Sequence, residues 1–333
     1  MPRAFISGCL GARLEPDEKA FLRDSDPWGF IVFRRNVASQ EQLLALTSEF
    51  RDAVGRADAP VFVDQEGGRV QRLGPPNWRA YPAAALFEKA RDGQGGARAA
   101  WLSARLIAHD LKAAGITVNC GPVLDVADEA THAVIGTRAF SHSPEGTARL
   151  ARAYAEGLVA GAVAPVVKHI PGHGRARADS HLELPKVDAS LEELTARDFA
   201  PFAALRDIPM AMSAHIVFTA LDPHSPATTS AKVVAEVMRG AIGYDGLIIS
   251  DDLSMKALSG SFAEKTRAVF AAGLDVALHC NGERAEGAPV AENSPMLAGK
   301  SLERAQRGLA ATRRAPEPLD VDAAAAELRR YVG

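Results

Sequence analysis

Eight short runs of apolar and β-branched residues recur along the 333-residue chain, and helical patterns lie between most of them. The runs are nearly continuous in apolar character, as expected for strands that are buried on both faces of a parallel sheet. They span residues 4–10, 29–35, 60–65, 116–126, 164–170, 209–218, 246–253 and 275–281. Eight strands alternating with helices over this length predict an α/β fold, a (β/α)8 TIM-type barrel that forms a single domain over residues 1–333.

Helix start and stop signals lie between the runs. Ser39 and Ser190 each begin a capping-box pattern, and Ser143-Pro144 supplies an N-cap followed by a proline at the first helical position. Gly115 is placed to end the helix before it. A helical tail is expected from about residue 298. An open doubly wound sheet is the alternative fold, but no G-x-G-x-x-G pattern follows an early strand.

Composition narrows the class of protein. The formal net charge of -3 argues against nucleic acid as a partner. The three cysteines are widely separated and form no C-x-x-C pair, which is typical of a reducing compartment. The apolar start of the chain is too short for a signal peptide, and no run approaches the roughly 20 residues of a membrane span. We therefore expect a cytoplasmic protein with no membrane association and no obligate protein partner.

Polar side chains stand at the predicted C-terminal ends of six strands. In a barrel these ends share one face, where active sites are built. One polar strand end is often only a helix cap, but a set converging on one rim predicts a site. The residues concerned are Asp64, Asp125, Lys168, His169, His215, Asp251, Asp252 and Asn281.

Two clusters on this rim suggest chemistry. Asp251 can act as a nucleophile, a base or a metal ligand, and of the two adjacent aspartates, Asp251 and Asp252, one can cap the next helix while the other does chemistry. The Gly67-Gly68 pair permits a tight turn, so that Asp64 and either Arg69 or Arg72 can face one pocket. A carboxylate opposite a guanidinium suits a polyhydroxylated ligand such as a sugar.

A third cluster lies in residues 166–185, a Pro/Gly-rich stretch with several basic and imidazole groups. Lys168 ends a buried strand, where an ammonium needs oxygen partners. The sequence PGHG (171–174) is interpreted as the hinge of a mobile loop, with His173 in a structural role. Asp179 and His181 can form a carboxylate–imidazole pair suited to general acid/base catalysis.

These motifs together resemble the bacterial β-N-acetylglucosaminidases of glycoside hydrolase family 3, in the single-domain form that recycles cell wall. The resemblance runs from GFIVFRRNV to ALHCN, which is most of the chain. The motifs that carry it are VDQEGGRVQR (63–72), VIGTRAF (134–140), VVKHIPGHG (166–174), ADSHLELP (178–185) and IISDDLSM (248–255).

The resemblance implies a role for each matching residue. Asp251 would be the nucleophile, and His181 would be the acid/base with Asp179 as its dyad partner. The residues that would hold the sugar are Asp64, Arg72, Arg138, Lys168 and His169. The implied activity is that of a retaining exo-β-N-acetylglucosaminidase that releases N-acetylglucosamine from β-1,4-linked (anhydro)muropeptides in the cytoplasm, with no cofactor and no metal.

Three other functions need to be distinguished. A metal-dependent hydrolase would use His169, His173, His181 and Asp251, but no H-x-H pattern ends the first strand, and full activity after chelation would exclude it. A catalytically inactive sugar-binding barrel would not need Asp251 together with the Asp179–His181 pair. A family 3 β-glucosidase or β-xylosidase usually takes its acid/base carboxylate from a second domain, which is not expected here.

Overall fold

The computed structural model describes residues 1–90, 95–128, 131–177 and 184–332. Each of the eight predicted runs contains a strand. The strands are β1 (Arg3–Ser7), β2 (Pro27–Val32), β3 (Val61–Val63), β4 (Val118–Asn119), β5 (in two pieces, Ala164–Pro165 and Val167–Ile170), β6 (Met210–Ser213), β7 (Leu247–Asp252) and β8 (Val276–His279).

The strands close into a parallel barrel. Hydrogen-bonded neighbours run in the order β4, β3, β2, β1, β8, β7 and β6, and every pair is parallel. The first piece of β5 pairs with β4 and its second piece pairs with β6, so the fifth strand closes the ring. The predicted (β/α)8 barrel is confirmed.

Helices connect the strands and cover the barrel. The α-helices are Pro16–Ser25, Gln40–Ala53, Ala85–Glu88, Gly96–Ala113, Pro144–Ala160, Leu191–Glu193, Ala200–Ala204, Phe262–Ala271, Arg284–Asn293, Gly299–Gly308 and Val321–Val332. Leu194–Asp198 and Val233–Ala241 are π-helical, and 3-10 turns span Arg34–Asn36, Gly136–Arg138, Ala227–Thr229 and Ala310–Arg313. In the part of the chain that the structure describes, no helix has the length and apolar character needed to cross a membrane.

The helix signals in the sequence act largely as predicted. Ser143 and Ser190 accept hydrogen bonds from the first turns that follow them, and Ser190 forms a complete capping box. Ser39 caps its helix, but the side chain of Gln42 returns to the amide one residue before Ser39 and the box is incomplete. Gly115 adopts a φ of +74° just after the helix end. These caps fix where the helices begin and end around the barrel.

Alternation along the strands separates two layers of core. Phe5 packs outward with helix residues such as Leu22 and Leu43, while the next residue, Ile6, packs inside the barrel with Phe62 and others. All of these side chains are almost completely buried. Burying one such side chain is worth about 1.5–3 kcal/mol, so the two layers together hold the strand ends in fixed positions.

The C-terminal segments dock on this barrel. Arg304 of Gly299–Gly308 donates to Asp275 at 3.0 Å and to Asp245 at 3.0 Å, next to the first residues of β7 and β8. Glu327 of the last helix accepts two hydrogen bonds from Arg98, both at 2.9 Å. The helix Gly299–Gly308 thus packs at the starts of the strands, and the helix Val321–Val332 packs against Gly96–Ala113.

Candidate active site

A cavity of about 250 Å³ opens at the C-terminal ends of the barrel strands. Its apolar wall includes Ile31, Phe33, Met212, Met255 and Leu278. Its charged and imidazole groups are Asp64, Arg69, Arg72, Arg138, Lys168, His169, His173, Asp251 and Asp252. Every predicted sugar-binding residue and the predicted nucleophile therefore face one cavity.

A hairpin after β3 places the first carboxylate. Gln65–Gly67 pairs in antiparallel fashion with Val70–Gln71, and the turn between them needs glycine because Gly67 has a φ of +104°. A Cβ at Gly67 would also lie 2.3 Å from the carbonyl oxygen of Pro82. The hairpin folds the chain back so that Arg72 Nη2 donates to Asp64 Oδ2 at 3.1 Å. The predicted pairing of Asp64 with Arg72 is present.

Arg69 lies on the same side but makes different contacts. Its guanidinium donates to the backbone carbonyl of Ala133 at 2.9 Å and to that of Val134. The cation therefore ties the β3 hairpin to the segment that carries Arg138.

Lys168 lies at the centre of the charged wall. Its ammonium is 2.8 Å from Asp64 Oδ1 and 2.6 Å from Glu66 Oε1, and the side chain is 2% exposed. Arg138 donates to both oxygens of Glu66 at 2.8 Å. Sequence reasoning missed Glu66. Its position two residues after Asp64, at the start of the hairpin, was the available signal, because alternate residues share a face.

Five charged groups in this wall stabilise one another's ionised forms: Asp64, Glu66, Arg72, Arg138 and Lys168. Burial would raise the pKa of both carboxyls, but Lys168 and Arg72 hold the pKa of Asp64 well below its usual range, and Arg138 with Lys168 lowers the pKa of Glu66 to about 2. Burial disfavours the charged amine as well, yet the two carboxylates keep the pKa of Lys168 above its ordinary value. The wall therefore presents fixed charges and oriented donors at neutral pH.

Asp125 stands behind the cavity and orients its imidazoles. Its buried carboxylate lies 2.7 Å from Nδ1 of His169, and its other oxygen accepts the backbone N–H of His173 at 2.7 Å. Burial alone would raise the pKa of Asp125, but His169 outweighs it and the pKa falls to about 2. Asp125 was predicted only as a polar strand end. Its role is to hold His169, which presents the remaining ring edge to the cavity.

His173 is both buried and part of the cavity wall. Burial and the neighbouring His169 lower the pKa of His173 to about 4. It is therefore a neutral imidazole at neutral pH, unlike the acid/base group that the site needs.

Asp251 and Asp252 are adjacent but make different contacts. Asp251 Oδ1 accepts the backbone N–H of Asp252 at 2.8 Å, and the carboxylate faces the cavity. Burial raises the pKa of Asp251, but His215 and His169 outweigh it and the net shift is downward. Asp252 instead accepts from Ser254 through both the amide, at 3.1 Å, and the hydroxyl, at 2.5 Å. Asp252 therefore fixes the turn, while the carboxylate of Asp251 faces the cavity.

The remaining polar strand ends lie outside the cavity wall. His215 is fully buried behind Asp252, and its Nε2 lies 3.1 Å from the carbonyl oxygen of Asp252. Asn281 donates to Glu286 at 3.0 Å, on the side of the helix Arg284–Asn293. Asp125, His215 and Asn281 therefore lie at the strand ends but outside the cavity wall, because neighbouring polar groups behind the rim bind them.

The predicted acid/base pair, Asp179 and His181, lies outside the described residues. The start of its loop is well fixed. His173 is held by Asp125, and Arg175 donates to Asp198 at 2.7 Å. A Cβ at Gly174 would lie 1.9 Å from the carbonyl oxygen of Val126, so the two backbones are in close contact. These contacts define the position of residues 173–175 against Asp125, Val126 and Asp198, and the hinge expected at residues 171–174 stays a prediction.

Within residues 1–90, 95–128, 131–177 and 184–332, no group of three or more His, Cys, Asp or Glu side chains is arranged to hold a metal ion. One ring nitrogen of His169 is already engaged by Asp125. His181, a member of the ligand set of the metal-dependent alternative, is not among these residues.

Known proteins similar to this chain are glycoside hydrolases of one family. The model of the glycosyl hydrolase family 3 N-terminal domain matches residues 7–307. A β-hexosaminidase of Methylococcus capsulatus is 42% identical over 82% of this chain and 81% of its own length. One from Neisseria gonorrhoeae is 40% identical over 84% and 79%, respectively. The solved structure of NagZ from N. gonorrhoeae with N-trifluoroacetyl-D-glucosamine superposes with a TM-score of 0.87 at 34% identity, covering 98% of both chains.

The parallel barrel, the charged cavity at its mouth and the family match together identify the class of protein as a glycoside hydrolase. The chain belongs to glycosyl hydrolase family 3, as its motifs predicted. Its curated relatives place it with the β-N-acetylhexosaminidases of that family.

Proposed function

We propose that this chain is a retaining exo-β-N-acetylglucosaminidase that uses Asp251 as its nucleophile. The observation that carries the proposal is the single cavity in which Asp251 faces the wall formed by Asp64, Lys168 and Arg138. A sugar seated against that wall has its hydroxyls among charged donors and acceptors, and its anomeric carbon can face the carboxylate.

The charged wall is suited to one terminal sugar. The ion pairs fix Asp64, Glu66 and Lys168 before substrate arrives, so little reorganisation is needed on binding. The cavity volume of about 250 Å³ matches a single monosaccharide better than a long oligosaccharide, which favours cleavage at a chain end. The relative solved with N-trifluoroacetyl-D-glucosamine supports an N-acylated glucosamine in this position.

Asp251 has the properties of a nucleophile. Its lowered pKa keeps the carboxylate ionised at neutral pH, and the amide of Asp252 fixes one oxygen. The described residues donate no hydrogen bond to its other oxygen, Oδ2. Attack of Oδ2 on the anomeric carbon would form a covalent glycosyl–enzyme and release the leaving group, and water would then cleave the ester with net retention.

His181, paired with Asp179, would transfer the proton. As imidazolium it would protonate the departing oxygen, and as neutral imidazole it would take a proton from the attacking water. Most retaining glycosidases use a second carboxylate for this task. A neutral base avoids a second anion beside the glycosyl ester, which gives a physical reason for a histidine in place of the second carboxylate. The proposal for His181 and Asp179 rests on the ADSHLELP motif (178–185).

The substrate would be the N-acetylglucosaminyl β-1,4-linked (anhydro)muropeptides of cell-wall recycling, encountered in the cytoplasm. The family resemblance and the β-hexosaminidase relatives support this proposal. We further propose that the whole chain acts as one catalytic domain without a cofactor.

A covalent trap tests the proposal directly. The protein would be incubated with a 5-fluoro N-acetylglucosaminyl fluoride and its peptides analysed by mass spectrometry. We expect one glycosyl unit on the peptide that contains Asp251, and none in the Asp251→Asn variant. A label on another residue, or steady turnover without any label, would contradict the proposal.

Two further measurements separate the alternatives. The released sugar should appear first as the β-anomer in NMR spectra, whereas the α-anomer would indicate inversion. 4-Nitrophenyl β-N-acetylglucosaminide should be cleaved far faster than the β-glucoside or β-xyloside. The reverse preference would favour another family 3 β-glycosidase, and no cleavage of any of the three would favour a sugar-binding barrel.

A further inference from the structure

His215 lies directly behind the aspartate pair, yet it is outside the cavity wall. It follows β6 and is fully buried. Its Nε2 lies 3.1 Å from the carbonyl oxygen of Asp252, and its Nδ1 lies 2.8 Å from Oγ1 of Thr228. Neither the sugar-binding wall nor the proposed proton transfer accounts for a histidine in this position.

The partners of His215 determine its tautomer. A carbonyl oxygen only accepts, so Nε2 carries a proton and donates it to Asp252. Burial lowers the pKa of His215, and the charge of Asp251 opposes that shift. Nδ1 lies 2.8 Å from the hydroxyl of Thr228, which itself donates to the carbonyl of Ala214 at 3.0 Å. Ser213 completes the chain with its hydroxyl 2.8 Å from that of Thr228.

His215 and its hydrogen-bonded partners fix the backbone immediately after Asp251. The carbonyl of Asp252 is held by His215 from the β6 side, while the next amide, Leu253, donates to the carbonyl of Leu278 at 2.9 Å on the β8 side. The amide of Asp252 is in turn the donor to Asp251 Oδ1 at 2.8 Å. The orientation of the carboxylate therefore depends on a backbone turn that is clamped from two strands.

We propose that His215 is a positioning residue for Asp251, which it holds in the attacking orientation by donating a hydrogen bond to the carbonyl of Asp252. The proposal rests on the proposed role of Asp251 as nucleophile. The carbonyl of Asp252 also accepts the backbone N–H of Met255 at 3.1 Å. Loss of the His215 bond would therefore leave the turn held only by its own backbone and from the β8 side, and it would shift. A displacement of about 1 Å in a reacting group can cost on the order of 10²-fold in rate.

Two substitutions of similar size test this role. Glutamine at position 215 can place an N–H near the position of Nε2, whereas methionine has a similar length but no donor. We expect His215→Gln to keep kcat within a few-fold of wild type. We expect His215→Met to lose about 10–100-fold in kcat with little change in KM, because the sugar-binding wall is untouched. Equal losses in both variants, or no loss in either, would overturn the proposal.

His279 supplies the matched control. It is an equally buried strand histidine, 1% exposed, but it faces the outer helices and lies 2.9 Å from Glu286. His279→Met should lower the melting temperature without lowering kcat in the protein that remains folded. If it reduced kcat as much as His215→Met does, general destabilisation would explain both results and the proposal would be overturned.

The fluoro-sugar trap separates failure of this inference from failure of the proposed function. If wild type is labelled at Asp251 and His215→Met is labelled more than tenfold more slowly, both stand. If labelling of Asp251 proceeds at the same rate in the two proteins, the positioning role is wrong and the nucleophile is right. If the label falls on another residue in wild type, the proposed nucleophile is wrong, and the positioning role fails with it.

Discussion

Glu66 Oε1 lies 2.6 Å from the ammonium of Lys168, and the two side chains are only 7% and 2% exposed. Both charges are largely shielded from water, so each is stabilised mainly by the other, and Arg138 also pairs with Glu66. The pair also fixes the position of an ammonium that faces the cavity, because Lys168 is held between Glu66 and Asp64. Glu66 therefore supports the site from behind.

Glu66→Gln tests this dependence. The substitution keeps the shape but removes the charge that compensates two buried cations. We expect a loss of about 3–5 kcal/mol in the free energy of unfolding, measured by urea denaturation. The exposed pair of Arg98 and Glu327 is the control, and Glu327→Gln should cost under about 1 kcal/mol. Similar costs for the two variants would show that the buried pair has no special role.

The same carboxylate makes stability depend on acid. The pKa of Glu66 is about 2 in the folded protein against an ordinary value of 4.5, so its contribution is complete above pH 4.5 and is lost as pH falls through 2. A shift of this size corresponds to about 3 kcal/mol. Urea denaturation at a series of pH values should show a steeper loss in wild type than in Glu66→Gln below pH 4.5. Parallel curves would contradict the assignment.

His173 makes an acid-dependent contribution in a higher pH range. Its pKa is lowered to about 4 from 6.5, so the unfolded chain binds a proton between these values while the folded protein does not. Stability should therefore fall as pH drops from 6.5 to 4, by about 3 kcal/mol from this group. Side-chain ¹⁵N NMR should show His173 neutral from pH 8 down to pH 5. A charged imidazole at pH 6 would disprove this prediction.

The His181 proposal predicts a dependence on the leaving group. His181→Ala should slow hydrolysis of substrates with poorly acidic leaving groups by about 10²–10⁴-fold, because these need a proton as they depart. Activated aryl glycosides need much less help and should be slowed far less in the bond-cleaving step. The measurement is the dependence of kcat/KM on leaving-group pKa, and an equal slowing of all substrates would rule out general acid catalysis.

The fold could be predicted because each barrel strand is a nearly continuous apolar run in the sequence. The position of the cavity could be predicted because polar residues stand at the strand ends. What the sequence could not show was which polar strand ends turn toward the cavity. Asp125 and Lys168 look alike as strand-end charges, but Asp125 lies behind the wall and Lys168 within it. Glu66 was missed for a related reason, since its role depends on Lys168, about 100 residues along the chain.

The fixed start of the 171–177 loop has an evolutionary consequence. Because Asp125 holds both the ring of His169 and the backbone of His173, and Gly174 packs against Val126, the sugar-binding wall ends at a firm boundary. Residues 177–185 follow this boundary in the sequence, so exchange of that segment should leave recognition of the terminal monosaccharide intact. Chimaeras that carry a foreign segment there but keep Asp179 and His181 should change their preference for the leaving group and retain the same terminal sugar, so the two specificities can evolve separately.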